Sequence, residues 1–201
     1  MVNTFIQVIP DALSKSDCED IIKAFENKSE HFTIETKIDG IYIDNNDERN
    51  DISMFPLGFQ SMEASNDLIC DTIKNNIPLW WEGNEEHYMF LENIKIQKAS
   101  SGGGFTTQHV EQGQSPTTNS RFMVWMIYLN DVERGGRTSF PLQEISFKPT
   151  AGTLMYWPAG YTHPHYATDD LECDKYIATG WFSYNKDRSR HFFHNKLHSR
   201  E

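Results

Sequence analysis

Cysteine is scarce in this 201-residue chain, with Cys18, Cys70 and Cys173 as the only three. No two of them form a CxxC unit and the odd count leaves no paired framework, so all three are expected as reduced, mostly structural thiols. Long apolar runs are also missing. The longest, Phe122 to Leu129, is eight residues, far short of the roughly 20 that cross a bilayer. The opening Met1-Val2-Asn3-Thr4-Phe5 has neither a basic start nor an apolar stretch, so no secretory signal is read and the cytoplasm is the expected compartment. Basic residues are outnumbered, 18 Lys or Arg against 29 Asp or Glu, for a net charge of −11. That excludes the general electrostatic footprint of a nucleic-acid binder and disfavours anionic membranes. Internal repeats, low-complexity segments and interdomain linkers are absent as well.

What is present is core material. Hydrophobic residues make up 38% and aromatics 13%, enough for one sizeable core in a single domain over 1–201. Three parts are expected within it: helical support over 1–80, a β body over about 81–185, and a basic tail over 186–201. The tail holds five Lys or Arg against two acids, together with His191, His194 and His198, and reads as a solvated segment; residues 1–185 are left at −14. Ser16 with Glu19 has the form of a capping box, and Cys18, Ile21, Ile22 and Phe25 recur at helical spacing, predicting a helix over 16–28. A second helix is expected from about Asn66 to Asn76, with Leu68, Ile69 and Ile73 inward. Asp39 to Asp51 reads either as a hairpin with an exposed tip or as a solvated loop. Beyond Trp80-Trp81 the pattern turns to short β runs at 94–97, 122–129, 138–140, 144–147, 153–157 and 176–183. The fold class is therefore mainly β (α+β): a jelly-roll-like pair of sheets buttressed by N-terminal helices.

His109-Val110-Glu111 follows the glycine-rich Ser101 to Gly104. Alternate residues of an extended chain point the same way, so His109 and Glu111 can approach one metal ion together. A distant histidine would complete the 2-His-1-carboxylate set that leaves open positions on Fe(II), and both His163 and His165 are candidates. Lys175 opens an apolar strand, where a lysine ordinarily snorkels to solvent. Trp125, Tyr128, Trp157 and Trp181 alternate within strands as core. Arg121 is expected to pair with a core-edge carboxylate or a strand end, and Gly135-Gly136 to form a turn.

Taken in order, GFTTQHVE (104–111), Arg121 with FMVWMIYLNDVERGGRTSFP (122–141), KPTAGTLMYWPAGYTHPH (148–165) and KYIATGWF (175–182) resemble the Fe(II)- and 2-oxoglutarate-dependent dioxygenases of the prolyl 4-hydroxylase-like group, notably short forms carried by phages. The resemblance implies a double-stranded β-helix with His109, Glu111 and His165 as metal ligands. It implies Lys175 as partner of the 2-oxoglutarate C5 carboxylate, with Thr138 helping. It further implies hydroxylation coupled to conversion of 2-oxoglutarate to succinate and CO2, with ascorbate supporting. Glu111 stands where aspartate is commoner, adding a methylene that the backbone position has to absorb. Ser100 stands where a tyrosine is often found. The ten-residue interval to Lys175 matches the family for His165 rather than His163. The implied substrate is an extended peptide, which can contain proline, with a free small molecule next in order; Tyr42, Trp80, Trp81 and Tyr88 could line its groove. The rival expectation is a jelly roll that binds metal or ligand without catalysis.

Overall fold

Ser14 starts the first helix. Its hydroxyl accepts the Asp17 N–H at 3.1 Å and donates to the Asp17 carboxylate at 2.6 Å, satisfying an otherwise orphaned donor of the first turn. Helix α1 then runs over Lys15–Ser29. The cap thus lies two residues before the expected Ser16 pairing, because Ser16 is already inside the first turn. Cys18, Ile21 and Phe25 are fully buried. A 3-10 turn, Gln60–Met62, leads directly into α2, Glu63–Asn75, which therefore begins three residues before the expected start. Ile69 and Ile73 are buried and Leu68 is half-buried. Asn76 closes the helix, donating its N–H to the Ile73 carbonyl at 3.2 Å and Nδ2 to the Thr72 carbonyl at 2.8 Å.

These elements belong to a computed structural model that describes residues 4–29, 41–45, 49–56, 60–77, 89–92, 94–184 and 191–193. Twelve strands lie among them. The first five are β1 (Gln7–Ile9), β2 (Ile41–Asn45), β3 (Arg49–Met54), β4 (Met89–Leu91) and β5 (Lys95–Phe105). Next come β6 (Arg121–Tyr128), β7 (Thr138–Phe140), β8 (Ile145–Phe147) and β9 (Leu154–Pro158). The last three are β10 (Tyr166–Ala167), β11 (Lys175–Ser183) and β12 (His191–Phe193). The larger sheet has the order β1-β9-β6-β11-β5-β3-β2, with β4 on β11 and β12 on β4; the smaller has the order β10-β7-β8. Together they form the jelly roll. No described helix is long and apolar enough to cross a membrane.

Beyond Arg121, strand β6 is apolar because both its faces are covered. Met123, Trp125 and Ile127 join the cluster that α1 and α2 cover, while Val124, Met126 and Tyr128 join the cluster containing Phe140 and Trp157 of the smaller sheet and β9. Beside β6, Gly180 of β11 pairs with Trp125, and a Cβ on it would lie 2.6 Å from the indole ring. Helix α1 is tied to β11 and β5 by Glu26, which accepts from Tyr176 Oη at 2.6 Å and from Lys98 Nζ at 3.0 Å.

Three expectations change. The stretch expected as helical support also supplies β1, β2 and β3, with β2 and β3 pairing as the hairpin alternative from Ile41↔Met54 to Asn45↔Asn50. The strand expected to end at Gln97 continues to Phe105, with β3 paired to Lys98 and Ala99 and again, past a register shift at Asn50/Asp51, to Gly104 and Phe105. The tail is not wholly a solvated segment: residues 191–193 pair with β4, while His194 and His198 lie outside the described residues. So do Trp80, Trp81 and Tyr88, and the side chain of Tyr42.

Candidate active site

Residues 109 and 165 meet through the backbone. His109 N–H donates to the His165 carbonyl at 3.0 Å and His165 N–H to the His109 carbonyl at 2.9 Å, an isolated antiparallel bridge. Glu111 N–H is held by the Ala159 carbonyl at 3.1 Å, so residues 109–111 are stitched along the loop that follows β9. The two imidazoles lie with ring centroids 4.4 Å apart, and the donor atoms of His109, Glu111 and His165 all fall within 4.8 Å of one another.

The remaining hydrogen bonds decide which nitrogens face inward. His109 Nδ1 donates to the Thr107 carbonyl at 2.9 Å and His165 Nδ1 to the His163 carbonyl at 3.0 Å. A carbonyl can only accept, so each Nδ1 carries the proton and each Nε2 offers its lone pair to the centre. Both Nε2 atoms face one oxygen, Glu111 Oε1, at 3.2 and 3.7 Å. Three electron-rich atoms so placed require a cation or protons among them, and this donor set fits a divalent transition metal. Burial pushes the Glu111 carboxyl up, yet positive charge at the centre outweighs it: when no metal is bound, hydrogen bonds from and charge on protonated His109 and His165 hold the group well below the ordinary carboxylate range.

His163 faces elsewhere. Its Nε2 donates to the Thr4 carbonyl at 2.8 Å and its Nδ1 accepts from Thr162 Oγ1 at 2.9 Å, so neither nitrogen remains for the cluster. Of the two candidate histidines, the structure brings His165 to the cluster and leaves His163 outside it.

The cluster opens into a cavity of about 290 Å³. Lys175, Thr138, Trp157 and Trp181 line it together with the three donor residues. Lys175 is 7% exposed, and its Nζ donates to the Gly136 carbonyl. Among the described residues no carboxylate lies within ion-pair distance of it, and burial lowers its pKa to about 8. The expected snorkelling alternative is thereby removed, because the amine points inward and an anion inside the cavity would find an unneutralised partner. The Asn130 side chain holds the start of this strand, accepting Tyr176 N–H at 2.7 Å and donating to the Asp174 carbonyl at 2.8 Å. Gly136, whose carbonyl receives Lys175, and Gly135 have φ of +58° and +75°, the turn conformation expected for them. Thr138 Oγ1 accepts from Tyr128 Oη at 2.7 Å, which leaves the threonine's own proton for another acceptor. Ser100 is exposed, and its neighbour Ala99 lines the cavity instead.

Residues 94–183 match the family model described as the 2OG-Fe(II) oxygenase superfamily. Over that stretch the chain is similar to that superfamily. Within it, the chain is 34% identical over 103 residues to prolyl 4-hydroxylase subunit alpha-1 of Gallus gallus, which covers 43% of this chain and 20% of that one. The subunit from Homo sapiens is 31% identical over 71 residues, 32% of this chain and 13% of its own. The chain thus spans a fifth or less of these relatives. Among solved structures, the viral collagen prolyl hydroxylase of Paramecium Bursaria Chlorella virus-1, in a 2OG complex, superposes with a TM-score of 0.66 at 19% identity, covering 89% of this chain and 95% of that one. A prolyl hydroxylase from Trichoplax adhaerens, in complex with a hypoxia inducible factor peptide fragment, gives 0.69 at 14%, covering 92% and 86%. At such identities the likeness establishes the oxygenase fold.

Sequence reasoning missed two neighbours of Glu111 in this site. Trp181 Nε1 donates to Glu111 Oε2 at 2.9 Å, and Arg121 Nη1 lies 3.6 Å from the same oxygen. Arg121 has its expected carboxylate, Glu92, at 3.0 Å. The signal for Trp181 was its parity with Lys175, since residues 175, 177, 179 and 181 share one face of β11 and all line the cavity.

Proposed function

We propose that this chain is an Fe(II)- and 2-oxoglutarate-dependent dioxygenase that hydroxylates a peptidyl substrate, prolyl residues included. One observation carries the reading: a single cavity holds the donor set of His109, Glu111 and His165 together with a buried lysine lacking a carboxylate partner among the described residues. Iron held by the three donors would supply, with 2-oxoglutarate and dioxygen, the oxidising equivalent that hydroxylates a C–H bond as succinate and CO2 are released.

The chain's own residues then have separable tasks. Lys175 receives the distal carboxylate of the oxo acid as a charge-assisted hydrogen bond, and Thr138 adds its free hydroxyl proton. Burial pushes the Tyr128 phenol up, so it stays protonated and keeps the Thr138 oxygen occupied as an acceptor. Trp157 packs edge-on against His165 with centroids 5.1 Å apart, and Phe140 lies 5.5 Å from the same ring; the two exclude water on that side. The net charge of −14 over residues 1–185 would draw basic peptides inward at low salt, and the peptide complex of the Trichoplax adhaerens hydroxylase supports a peptidyl substrate for this fold. We place the enzyme in a reducing, cytoplasmic compartment, in keeping with its three free cysteines.

The test is succinate formation by purified protein with Fe(II), ascorbate and 2-oxoglutarate. Proline-rich and basic peptides are compared with free proline, free lysine and nucleosides. Peptides should raise succinate above the uncoupled background. Stimulation by a free amino acid alone would overturn the peptidyl assignment, and absence of any metal-dependent succinate would overturn the enzymatic one in favour of a binding jelly roll.

A further inference from the structure

The two carboxylate oxygens of Glu111 meet different surroundings. Oε1 faces the Nε2 atoms of His109 and His165, whereas Oε2 faces away from them toward Trp181 and Arg121. The indole N–H is 2.9 Å from Oε2, and the guanidinium is stacked 3.6 Å above the Trp181 ring centroid. Both partners are themselves fixed. The Trp181 carbonyl accepts the Glu92 N–H at 2.9 Å, and the Glu92 carboxylate holds Arg121 Nε at 3.0 Å. The side chains of Arg121 and Glu92 are 13% and 5% exposed, so this ring of contacts has few alternatives in water.

We propose that Trp181 and Arg121 are positioning residues that make Glu111 a one-oxygen donor, immobilising Oε2 so that only Oε1 is presented to the histidine pair. This rests on the reading of His109, Glu111 and His165 as a metal site. The extra methylene of glutamate is absorbed by this clamp rather than by a shift of backbone. Glutamate has the reach to span from the extended segment at 109–111 to β11, and the indole N–H replaces the water or second metal bond that the distal oxygen would otherwise seek. A shorter aspartate at 111 would not bring one oxygen to the histidines and the other to Trp181 together. The clamp and the glutamate therefore form one unit, and their effects should be coupled.

The experiment is a double-mutant cycle on binding of Mn(II) alone, read by calorimetry and by the Mn(II) electron paramagnetic resonance spectrum. Trp181→Phe keeps the ring under Arg121 and removes only the N–H. It should weaken Mn(II) binding about tenfold and broaden the spectrum, as expected for losing one charge-assisted hydrogen bond. In the Glu111→Asp background the same change should alter binding less than about twofold, because the coupling has already gone. Arg121→Lys keeps a charge for Glu92 but loses the planar fork; it reads the same oxygen independently and should weaken Mn(II) about threefold, even if the indole variant fails to fold. Equal losses from Trp181→Phe in both backgrounds, or unchanged Mn(II) binding in both Trp181→Phe and Arg121→Lys, would overturn the clamp while leaving the metal site standing. Wild-type protein that binds no Mn(II) would overturn the metal site itself, and the clamp with it.

Discussion

His163 and His165 are two residues apart and chemically alike, yet hydrogen bonding gives them opposite assignments. His163 spends both nitrogens on Thr162 and Thr4, whereas His165 spends only Nδ1. We expect His165→Ala to weaken Mn(II) binding at least about a hundredfold and to abolish metal-dependent turnover; His163→Ala should keep Mn(II) binding within about threefold. Calorimetry on the two variants checks this, and the reverse ranking would exchange the assignments. Lys175 gives a second expectation. Its pKa of about 8 in the protein, lowered by burial, means that it is charged below that pH and neutral above it. Affinity for 2-oxoglutarate should therefore be flat below about pH 8 and fall as pH rises through it. Lys175→Ala should remove this dependence and raise the 2-oxoglutarate KM about 10- to 100-fold, the range of a lost charge-assisted bond. Thr138→Ala should raise it less, because a neutral hydroxyl donor is the weaker partner. Steady-state KM measured across pH decides both.

At the level of elements, legibility followed how far each one's residues determine its surroundings. The runs at 122–129, 138–140 and 176–183 are β-branched and aromatic enough to be strands wherever they pack, and β6, β7 and β11 lie there within a residue. Ser101 to Gly104 reads as punctuation because glycine has low strand propensity; the strand resumes here because β3, distant in sequence, pairs with Gly104 and Phe105 across a register shift that leaves Ser101 to Gly103 without a β3 partner. The same limit hid Trp181 and Arg121 from Glu111, since their meeting depends on the register between β11 and β6, which no single segment encodes. The five residues expected at the site, His109, Glu111, Thr138, His165 and Lys175, were picked out by ordered motifs that together span most of the β body, and all five line one cavity. One packing consequence is testable by urea denaturation. Gly180→Ala would drive a methyl into the Trp125 ring, and we expect a loss of about 1–3 kcal/mol with an unchanged m-value.

For the whole molecule, the sheets and helices divide the labour. Two buried clusters, one beneath the helices and one between the sheets, hold β6 and β11 rigid, and the site is built where loops at their edges converge. The mutual backbone bridge between His109 and His165 is closed by the amides and carbonyls of the two residues themselves. Its consequence lies in isotope exchange. The amide protons of these two residues should remain slow to exchange into deuterated water after the metal is stripped by a chelator, because their carbonyl partners are each other rather than anything the ion organises. Exchange at the two positions that quickens together with chelation would mean the ion builds the bridge. Slow exchange throughout would mean that the apoprotein waits with its imidazoles already in register, and that reloading it is a matter of ion capture with no refolding step.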